Sequence, residues 1–279
     1  MCGIVGAVFA GPGRADRARL KKANDLIVHR GPDDEGFYVD ERAALAMRRL
    51  SIIDVAGGHQ PMESPDGRFV IVFNGEVYNF QELRAPLEAA GVPFKTRSDT
   101  EVVLALYARE GAACVKRLRG MFAFAVWDKR DKRLFLARDR IGKKPLLYAL
   151  LPGGLAFASE LRSLLVWDGV DTTLEARAVD LYLSLQYIPS PGTIYKGVKK
   201  LPPAHTLTYH DGKVVIERYW DLPLGAPPLK KLGPRDGKGT KNTELQMLMR
   251  RMIQLTNDEA TVKQITAEMV KWAGNDEGK

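Results

Sequence analysis

The chain opens with an apolar run that carries a cysteine at its second position: Met1-Cys2-Gly3-Ile4-Val5-Gly6-Ala7-Val8-Phe9. The run ends at Gly11-Pro12-Gly13, which predicts a buried strand followed by a turn. Removal of Met1 would give Cys2 both a thiol nucleophile and an α-amine that titrates at about pH 8. The position alone leaves two interpretations open, an N-terminal nucleophile or an ordinary buried cysteine on a strand.

Apolar periodicity along residues 1–222 predicts many short strands and a handful of helices. We predict helices at 15–28, 80–90, 102–107, 160–165 and 175–183. We predict strands at 4–10, 36–39, 43–48, 69–73, 94–96, 121–127, 134–137, 146–148, 155–158, 206–209 and 214–219. Strand pairs dominate the middle of the chain, and the early helices do not all fit on one sheet. The pattern therefore indicates an α+β fold in which helices cover layered antiparallel sheets.

The composition changes at Pro223. Residues 223–242 are rich in glycine, proline and lysine, which is typical of a flexible linker. Residues 243–279 place apolar side chains on helical faces, which predicts a helical hairpin of unknown role. Such a hairpin is too small to be stable alone, so we expect it either to dock on another surface or to be marginally stable. The predicted division is a domain over 1–222, with a bridging segment from about residue 180, then the linker and the hairpin.

The formal net charge is +8, but the basic residues are spread along the chain and interleaved with acidic ones. This distribution favours a solvated surface over a nucleic-acid groove. The two cysteines, Cys2 and Cys114, cannot form a disulfide framework, and Cys114 is predicted to be a small core residue. No apolar run approaches the roughly 18 residues of a membrane span, and no basic leader precedes the first strand. We expect a protein of the reducing cytoplasm that binds neither nucleic acid nor membrane.

Three further features suit amide chemistry if Cys2 attacks a carbonyl carbon. The Asn74 side chain and the Gly75 N–H are candidate donors to an oxyanion. Arg49 can bind a carboxylate through two hydrogen-bond donors, and Asp99 can form an ion pair with an ammonium group. Each has a structural alternative: a tight Asn-Gly turn, a surface charge and a carboxylate at a helix start, respectively. Spacing alone does not bring these residues together.

A series of motifs identifies a known family. They are Met-Cys-Gly-Ile-Val-Gly at 1–6, His-Arg-Gly-Pro-Asp at 29–33, Arg-Arg-Leu-Ser-Ile-Ile-Asp at 48–54, Asn-Gly-Glu-Val-Tyr-Asn at 74–79, Ser-Asp-Thr-Glu at 98–101, Arg-Gly-Met-Phe-Ala-Phe at 119–124, and Arg-Asp-Arg-Ile-Gly-Lys-Lys-Pro-Leu at 138–146. With them the sequence resembles class II glutamine amidotransferases, in particular the glutaminase half of glutamine-hydrolysing asparagine synthetases. The resemblance implies the four-layer αββα sandwich of N-terminal nucleophile hydrolases.

The resemblance also implies a reaction. Cys2 would be the nucleophile, with its own α-amine as general base, and Asn74 and Gly75 would form the oxyanion hole. The thiolate would attack the side-chain amide of glutamine and release ammonia. The resulting γ-glutamyl thioester would then be hydrolysed to glutamate.

The same resemblance implies how glutamine is held. Arg49 would bind its α-carboxylate, and Asp99 with the Glu76 region would bind its α-ammonium. Leu50, Ile52 and Ile53 would line the pocket, partly through backbone groups. Arg30 lies near the site in relatives, and we expect it to support the site rather than take part in the chemistry.

The resemblance covers residues 1 to about 222. In the family an ATP-pyrophosphatase synthetase domain follows, opening with a Ser-Gly-Gly-x-Asp-Ser loop that this sequence does not contain. We therefore expect no cofactor or metal in this chain, since ATP and magnesium would belong to that missing domain. A partner carrying a synthetase domain and a homodimer are both open. So are two other functions, a non-catalytic regulatory or interaction module and an amidotransferase that supplies a different acceptor in trans.

Overall fold

The computed structural model describes residues 2–51, 54 and 57–222. The strands are β1 (Gly3–Phe9), β2 (Asp34–Val39), β3 (Ala43–Arg49), β4 (Met62–Glu63), β5 (Phe69–Val77), β6 (Gly120–Asp128), β7 (Arg133–Arg138), β8 (Leu147–Leu151), β9 (Gly154–Ala158), β10 (Val198–Lys200), β11 (His205–His210) and β12 (Lys213–Arg218). The α-helices are α1 (Arg17–Asp25), α2 (Phe80–Ala89), α3 (Asp99–Glu110), α4 (Leu161–Leu164) and α5 (Ala176–Leu185). Short 3-10 helices span Val28–Arg30 and Gly111–Lys116.

The strands form two six-stranded sheets in which neighbouring strands are antiparallel. The first sheet has the order β10-β8-β9-β1-β3-β2, and the second has the order β12-β11-β7-β6-β5-β4. β1 and β5 thus lie inside their sheets, with a hydrogen-bonded strand on either side. This placement protects both strands from edge pairing and makes them rigid supports.

Side chains that alternate along the strands fill three apolar layers. Ile4 and Val8 of β1 pack with Val70 and Val72 of β5 in the layer between the sheets. The intervening β1 residues pack outward against α1 and α4, and the intervening β5 residues pack outward against α2 and α3. The predicted α+β fold and its four αββα layers are confirmed.

Most of the predicted elements are present, with two local errors. The predicted strand at 94–96 does not form, because the Lys95 and Thr96 N–H groups donate to the Glu101 carboxylate instead of to a strand. The predicted end of the strand at Phe73 is also wrong, because β5 runs on to Val77, and the tight turn given as the structural alternative for Asn74-Gly75 does not form. Asn74 and Gly75 continue β5 and pair with Ala123 and Phe122 of β6, so pairing with a central strand overrides the turn preference of this dipeptide.

Other differences are at the ends of elements. α3 begins at Asp99 rather than at residue 102, and β3 extends to Arg49, which was predicted to lie between strands. β4 and β10 are short strands that no apolar pattern indicated. The predicted linker and helical hairpin lie outside the described residues. Within the part that the structure describes, no helix is long and apolar enough to cross a bilayer.

Because Gly6 is closely surrounded, we predict that a side chain added at this position lowers the stability of the fold. A Cβ there would lie 2.7 Å from the Ala44 carbonyl oxygen and from the Phe157 ring. We expect Gly6→Ala to lower the free energy of unfolding by about 1–3 kcal/mol, measured by urea denaturation. Gly11→Ala is the matched control, since nothing lies within 4 Å of its added Cβ. Equal stability of the two variants would contradict this packing.

Candidate active site

The beginning of β1 and the end of β5 meet at a cavity of about 170 Å³ between the two sheets. The cavity is lined by Cys2, Arg49, Leu50, Gly58, Gln60, Phe73, Asn74, Gly75, Glu76, Ser98, Asp99, Thr100, Met121 and Lys144. All the sequence-predicted site residues among the described residues are in this set. Ile52 and Ile53 lie outside the described residues, so their predicted part in the pocket stays a prediction.

The Cys2 sulphur lies against the backbone of Leu50. The Leu50 N–H donates to the sulphur at 3.4 Å, and the Leu50 carbonyl lies 3.6 Å from it, within reach of the thiol proton. The Leu50 backbone therefore offers the sulphur both a donor and an acceptor. The half-buried thiol is therefore held in place with its sulphur at the cavity.

The His-Arg-Gly-Pro-Asp motif holds this arrangement in place. The Asp33 N–H donates to the Arg49 carbonyl at 3.1 Å, and the Ser51 N–H donates to the Asp33 carboxylate at 2.8 Å. Arg30 Nε donates to the Cys2 carbonyl at 3.0 Å. The motif thus fixes both chain segments that meet at the sulphur. Arg30 contacts the Cys2 backbone, in agreement with a supporting position.

Asn74 places an unpartnered donor at the cavity. Its side chain is 1% exposed, and its Nδ2 has no hydrogen-bond partner among the described residues. A buried donor without a partner costs about 1–3 kcal/mol. Such a group is expected where a ligand supplies the missing acceptor.

The backbone of Gly75 is directed to the same side. Phe122, opposite Gly75, uses its N–H and carbonyl toward Asp139 rather than toward β5. Because hydrogen-bonding directions alternate along a strand, the Gly75 N–H points away from β6. Side chains take up the N–H groups on either side of it, Gln60 from Phe73 and Asp99 from Val77. Gly75 lies between these two side-chain acceptors, at the cavity wall.

Arg49 is a buried cation, 5% exposed, at the end of β3. Its Nη2 donates to the Asp54 carbonyl at 2.8 Å. A Cβ at position 58 would lie 2.2 Å from that nitrogen, so Gly58 leaves the guanidinium its space. Arg49 is therefore part of the cavity wall and not a surface charge.

Asp99 is a buried carboxylate at the first turn of α3. Burial raises the pKa of its carboxyl, although the Val77 and Thr100 N–H groups donate hydrogen bonds to it and oppose the rise. The nearby Glu76 carboxylate raises it further. These two carboxylates face a cavity that also contains Arg49, and together they offer groups of both signs. Such a cavity is suited to a zwitterion.

Sequence reasoning missed several cavity residues. The Gln60 amide bridges two elements, accepting from the Phe73 N–H at 2.7 Å and donating to the Thr100 hydroxyl at 3.1 Å. No periodic pattern marks a single glutamine of this kind. Lys144 was quoted within a motif but given no role, and its burial is seen only in the structure.

Comparison with known proteins places this geometry in a family. The family model described as a glutamine amidotransferase domain matches residues 1–220. The glutamine-hydrolysing asparagine synthetase 1 of Bacillus subtilis is 44% identical over 224 residues, which are 79% of this chain and 35% of that protein. A putative glutamine-hydrolysing asparagine synthetase of Mycobacterium tuberculosis is 45% identical over 251 residues, covering 82% of this chain and 38% of that protein. The chain thus spans little more than a third of these relatives.

Solved structures support the fold alone. An allosteric regulatory enzyme of purine biosynthesis superposes with a TM-score of 0.56 at 21% identity, over 78% of this chain and 49% of that chain. A glutamine phosphoribosylpyrophosphate amidotransferase from B. subtilis superposes with a TM-score of 0.53 at 20% identity, over the same shares. The four-layer arrangement is therefore shared with proteins of low sequence identity.

Proposed function

Since the chain belongs to the glutamine amidotransferase domain family and is of the asparagine synthetase type, we propose that it hydrolyses glutamine to glutamate and ammonia through Cys2. The observation that carries this proposal is the buried Asn74 Nδ2, which lines the same cavity as the Cys2 sulphur and has no partner among the described residues. A thiol beside an unpartnered amide donor suits attack on a carbonyl, because the developing oxyanion supplies the acceptor that the donor lacks.

The first half of the reaction forms a thioester. With Met1 removed, the α-amine of Cys2 takes the thiol proton, and the sulphur attacks the side-chain carbonyl carbon of glutamine. The Asn74 amide and the Gly75 N–H donate to the oxyanion of the tetrahedral intermediate. As the C–N bond breaks, the protonated amine returns its proton to the leaving nitrogen. Ammonia departs, and a γ-glutamyl thioester stays on Cys2.

The second half regenerates the enzyme. The neutral α-amine accepts a proton from water, which attacks the thioester carbonyl, and the same donors hold the second oxyanion. As the C–S bond breaks, the protonated amine returns its proton to the Cys2 sulphur, and glutamate leaves the cavity. We propose no metal or cofactor for these steps.

Glutamine specificity would come from the charged walls of the cavity. Arg49 is proposed to bind the α-carboxylate, and Asp99 and Glu76 to bind the α-ammonium. Leu50 would present backbone groups between them and Cys2. The buried positions of Arg49 and Asp99 support this assignment, because charges shielded from water discriminate more strongly than exposed ones.

The activity test measures ammonia and glutamate released from glutamine, with and without ATP and aspartate. We expect both products at equal rates, no dependence on ATP, and no asparagine. Intact-mass measurement must first establish that Met1 is absent. A processed protein that releases no ammonia would favour a non-catalytic module. Asparagine formation on adding a protein with a synthetase domain would identify that protein as the partner.

We propose the reducing cytoplasm as the compartment in which this chain acts.

Asp99→Asn separates substrate binding from stability. The amide retains an acceptor for the Val77 N–H but loses the charge that would pair with the ammonium. We expect KM for glutamine to rise about 10- to 100-fold, the equivalent of one hydrogen bond to a charged group. Steady-state kinetics at pH 7 provides the measurement.

The free energy of unfolding of Asp99→Asn should not fall, although its binding of glutamine weakens. Because the pKa of the Asp99 carboxyl is raised in the folded state, this group stabilises the fold fully below the ordinary aspartate pKa of 3.8, and that stabilisation is lost as pH rises through the pKa of the folded state. Asp99→Asn removes that loss, so the variant should be at least as stable as the wild type at pH 7. Glu41→Gln, an exposed carboxylate in the β2–β3 turn, is the control and should change neither quantity. An unchanged KM in Asp99→Asn would refute the assignment.

A further inference from the structure

Lys144 is a buried cation in the cavity that the proposed chemistry does not use. Its side chain is 6% exposed, and it lines the cavity together with Cys2. Among the described residues its ammonium forms no hydrogen bond and no ion pair. A buried charge of this kind is costly unless another charge compensates it.

The backbone of Lys144 is held firmly in place. Its N–H donates to the Asp139 carboxylate at 3.0 Å, and its carbonyl accepts from Arg138 Nε at 2.8 Å. Asp139 is fully buried and also accepts from the N–H groups of Phe122, Ile141 and Lys143. The Asp139 carboxylate is thus occupied by backbone donors. The loop that follows β7 places the lysine at the cavity, and Asp139 does not neutralise it through a direct ion pair.

The charged or titratable groups that line the cavity, or whose charge acts on Lys144, lie on six different segments of the chain. They are Cys2 at the start of β1, Arg30 after α1, Arg49 at the end of β3, Glu76 on β5, Asp99 on α3 and Asp139 after β7. Burial lowers the pKa of the Lys144 ammonium, and among the charges that act on it Cys2 is the largest and opposes this change. The sulphur and the Lys144 side chain therefore line one small cavity, and among the described residues no ion pair neutralises the lysine.

We propose that Lys144 stabilises the thiolate of Cys2 electrostatically and so sets the pH range in which the nucleophile is ionised. The inference rests on the proposed function, in which Cys2 is the nucleophile. Lys144 acts through the sulphur and is a positioning residue rather than a catalytic one. The same positive charge disfavours protonation of a neighbouring α-amine, so it prepares both the nucleophile and its base at neutral pH.

The test is the rate of Cys2 alkylation by iodoacetamide as a function of pH. Peptide mass mapping follows the reaction, and the buried Cys114 serves as an internal reference. Iodoacetamide is uncharged, so Lys144 does not attract it. We expect Lys144→Met to be alkylated about tenfold more slowly at pH 7, with the half-maximal rate reached about one pH unit higher, as for the loss of one nearby opposite charge.

Two variants isolate the charge. Lys144→Arg keeps the cation and should follow the wild-type pH profile. Lys143→Met removes the neighbouring exposed lysine and should also leave the profile unchanged. In turnover, Lys144→Met should lose kcat/KM about tenfold at pH 7 and recover as pH rises. A pH profile for Lys144→Met that superimposes on the wild type, or a failure of Lys144→Arg to restore it, would overturn the proposal.

Alkylation separates this inference from the proposed function, because it needs no glutamine. A protein that fails to hydrolyse glutamine but shows the shifted profile in Lys144→Met would refute the function and retain the Lys144–Cys2 coupling. Normal glutamine hydrolysis by the wild type, together with an unshifted alkylation profile in Lys144→Met, would retain the proposed function and refute the Lys144–Cys2 coupling.

Discussion

Cys2→Ala is expected to lower ammonia release from glutamine by roughly 10⁴- to 10⁶-fold, the loss seen when a covalent nucleophile is removed from an enzyme. The physical reason is that no other side chain at the cavity offers a sulphur that can form the thioester. The fold should survive, because Cys2 is half-buried at the start of β1 and alanine keeps the backbone contacts. Coupled detection of ammonia, with thermal unfolding as a check on folding, measures both effects.

Cys114→Ala is the matched control for that experiment. Cys114 is fully buried beside α3, and burial raises the pKa of its thiol to about 12. Its substitution should reduce stability by about 1 kcal/mol through lost packing and leave kcat unchanged. Loss of turnover in Cys114→Ala, with turnover retained in Cys2→Ala, would show that the nucleophile is Cys114 and not Cys2.

Asn74→Ala is expected to lower kcat by about 10²- to 10³-fold, the effect of removing one oxyanion donor. KM should change much less, because the donor is directed at charge that develops in the transition state. The free energy of unfolding should fall only through the loss of side-chain packing. No hydrogen bond of Asn74 Nδ2 is lost, since this atom has no partner in the described part of the chain. Steady-state kinetics and urea denaturation on the same preparation measure the two effects.

Asn79→Ala provides the contrast, since Asn79 is a second buried asparagine five positions along the chain. Its amide donates to the Arg117 carbonyl at 3.1 Å and accepts from the Arg119 N–H at 2.9 Å. Its loss should destabilise the fold by about 1–3 kcal/mol through unpaired backbone groups, with kcat of the folded protein retained. A kcat for Asn74→Ala within threefold of the wild type would remove Asn74 from the oxyanion hole.

The order of short apolar runs, turns and helical spacings was enough to predict the class of fold. Residues 3–9 and 69–73 are continuous apolar runs, which predict strands buried on both faces, and in the structure their even and odd positions separate into two apolar layers. Asn74-Gly75 continues β5 and does not form the tight turn that was its structural alternative, because pairing with β6, a contact with residues far along the chain, overrides the local preference of the dipeptide. Local patterns do not contain that information.

The residues of the candidate site also fall into two groups, those that the sequence could suggest and those that only the packed structure reveals. Cys2, Asn74, Arg49 and Asp99 have side chains whose chemistry suggests a role, and the motif order brought them into one hypothesis. Gln60 acts through two hydrogen bonds that exist only once β5 and α3 are packed. The position of Lys144 depends on the buried Asp139, which organises the loop after β7. These positions follow from tertiary contacts, so the sequence pattern alone could not assign them.

The central claim is that glutamine is hydrolysed through a thioester on Cys2, and trapping with hydroxylamine tests it most directly. Hydroxylamine competes with water for a thioester and converts it to the hydroxamate. During turnover by protein that has lost Met1, the account predicts that γ-glutamyl hydroxamate rises with hydroxylamine concentration at the expense of glutamate, while ammonia release does not fall. Glutamate and ammonia formed at the wild-type rate, with no hydroxamate at any hydroxylamine concentration, would contradict it.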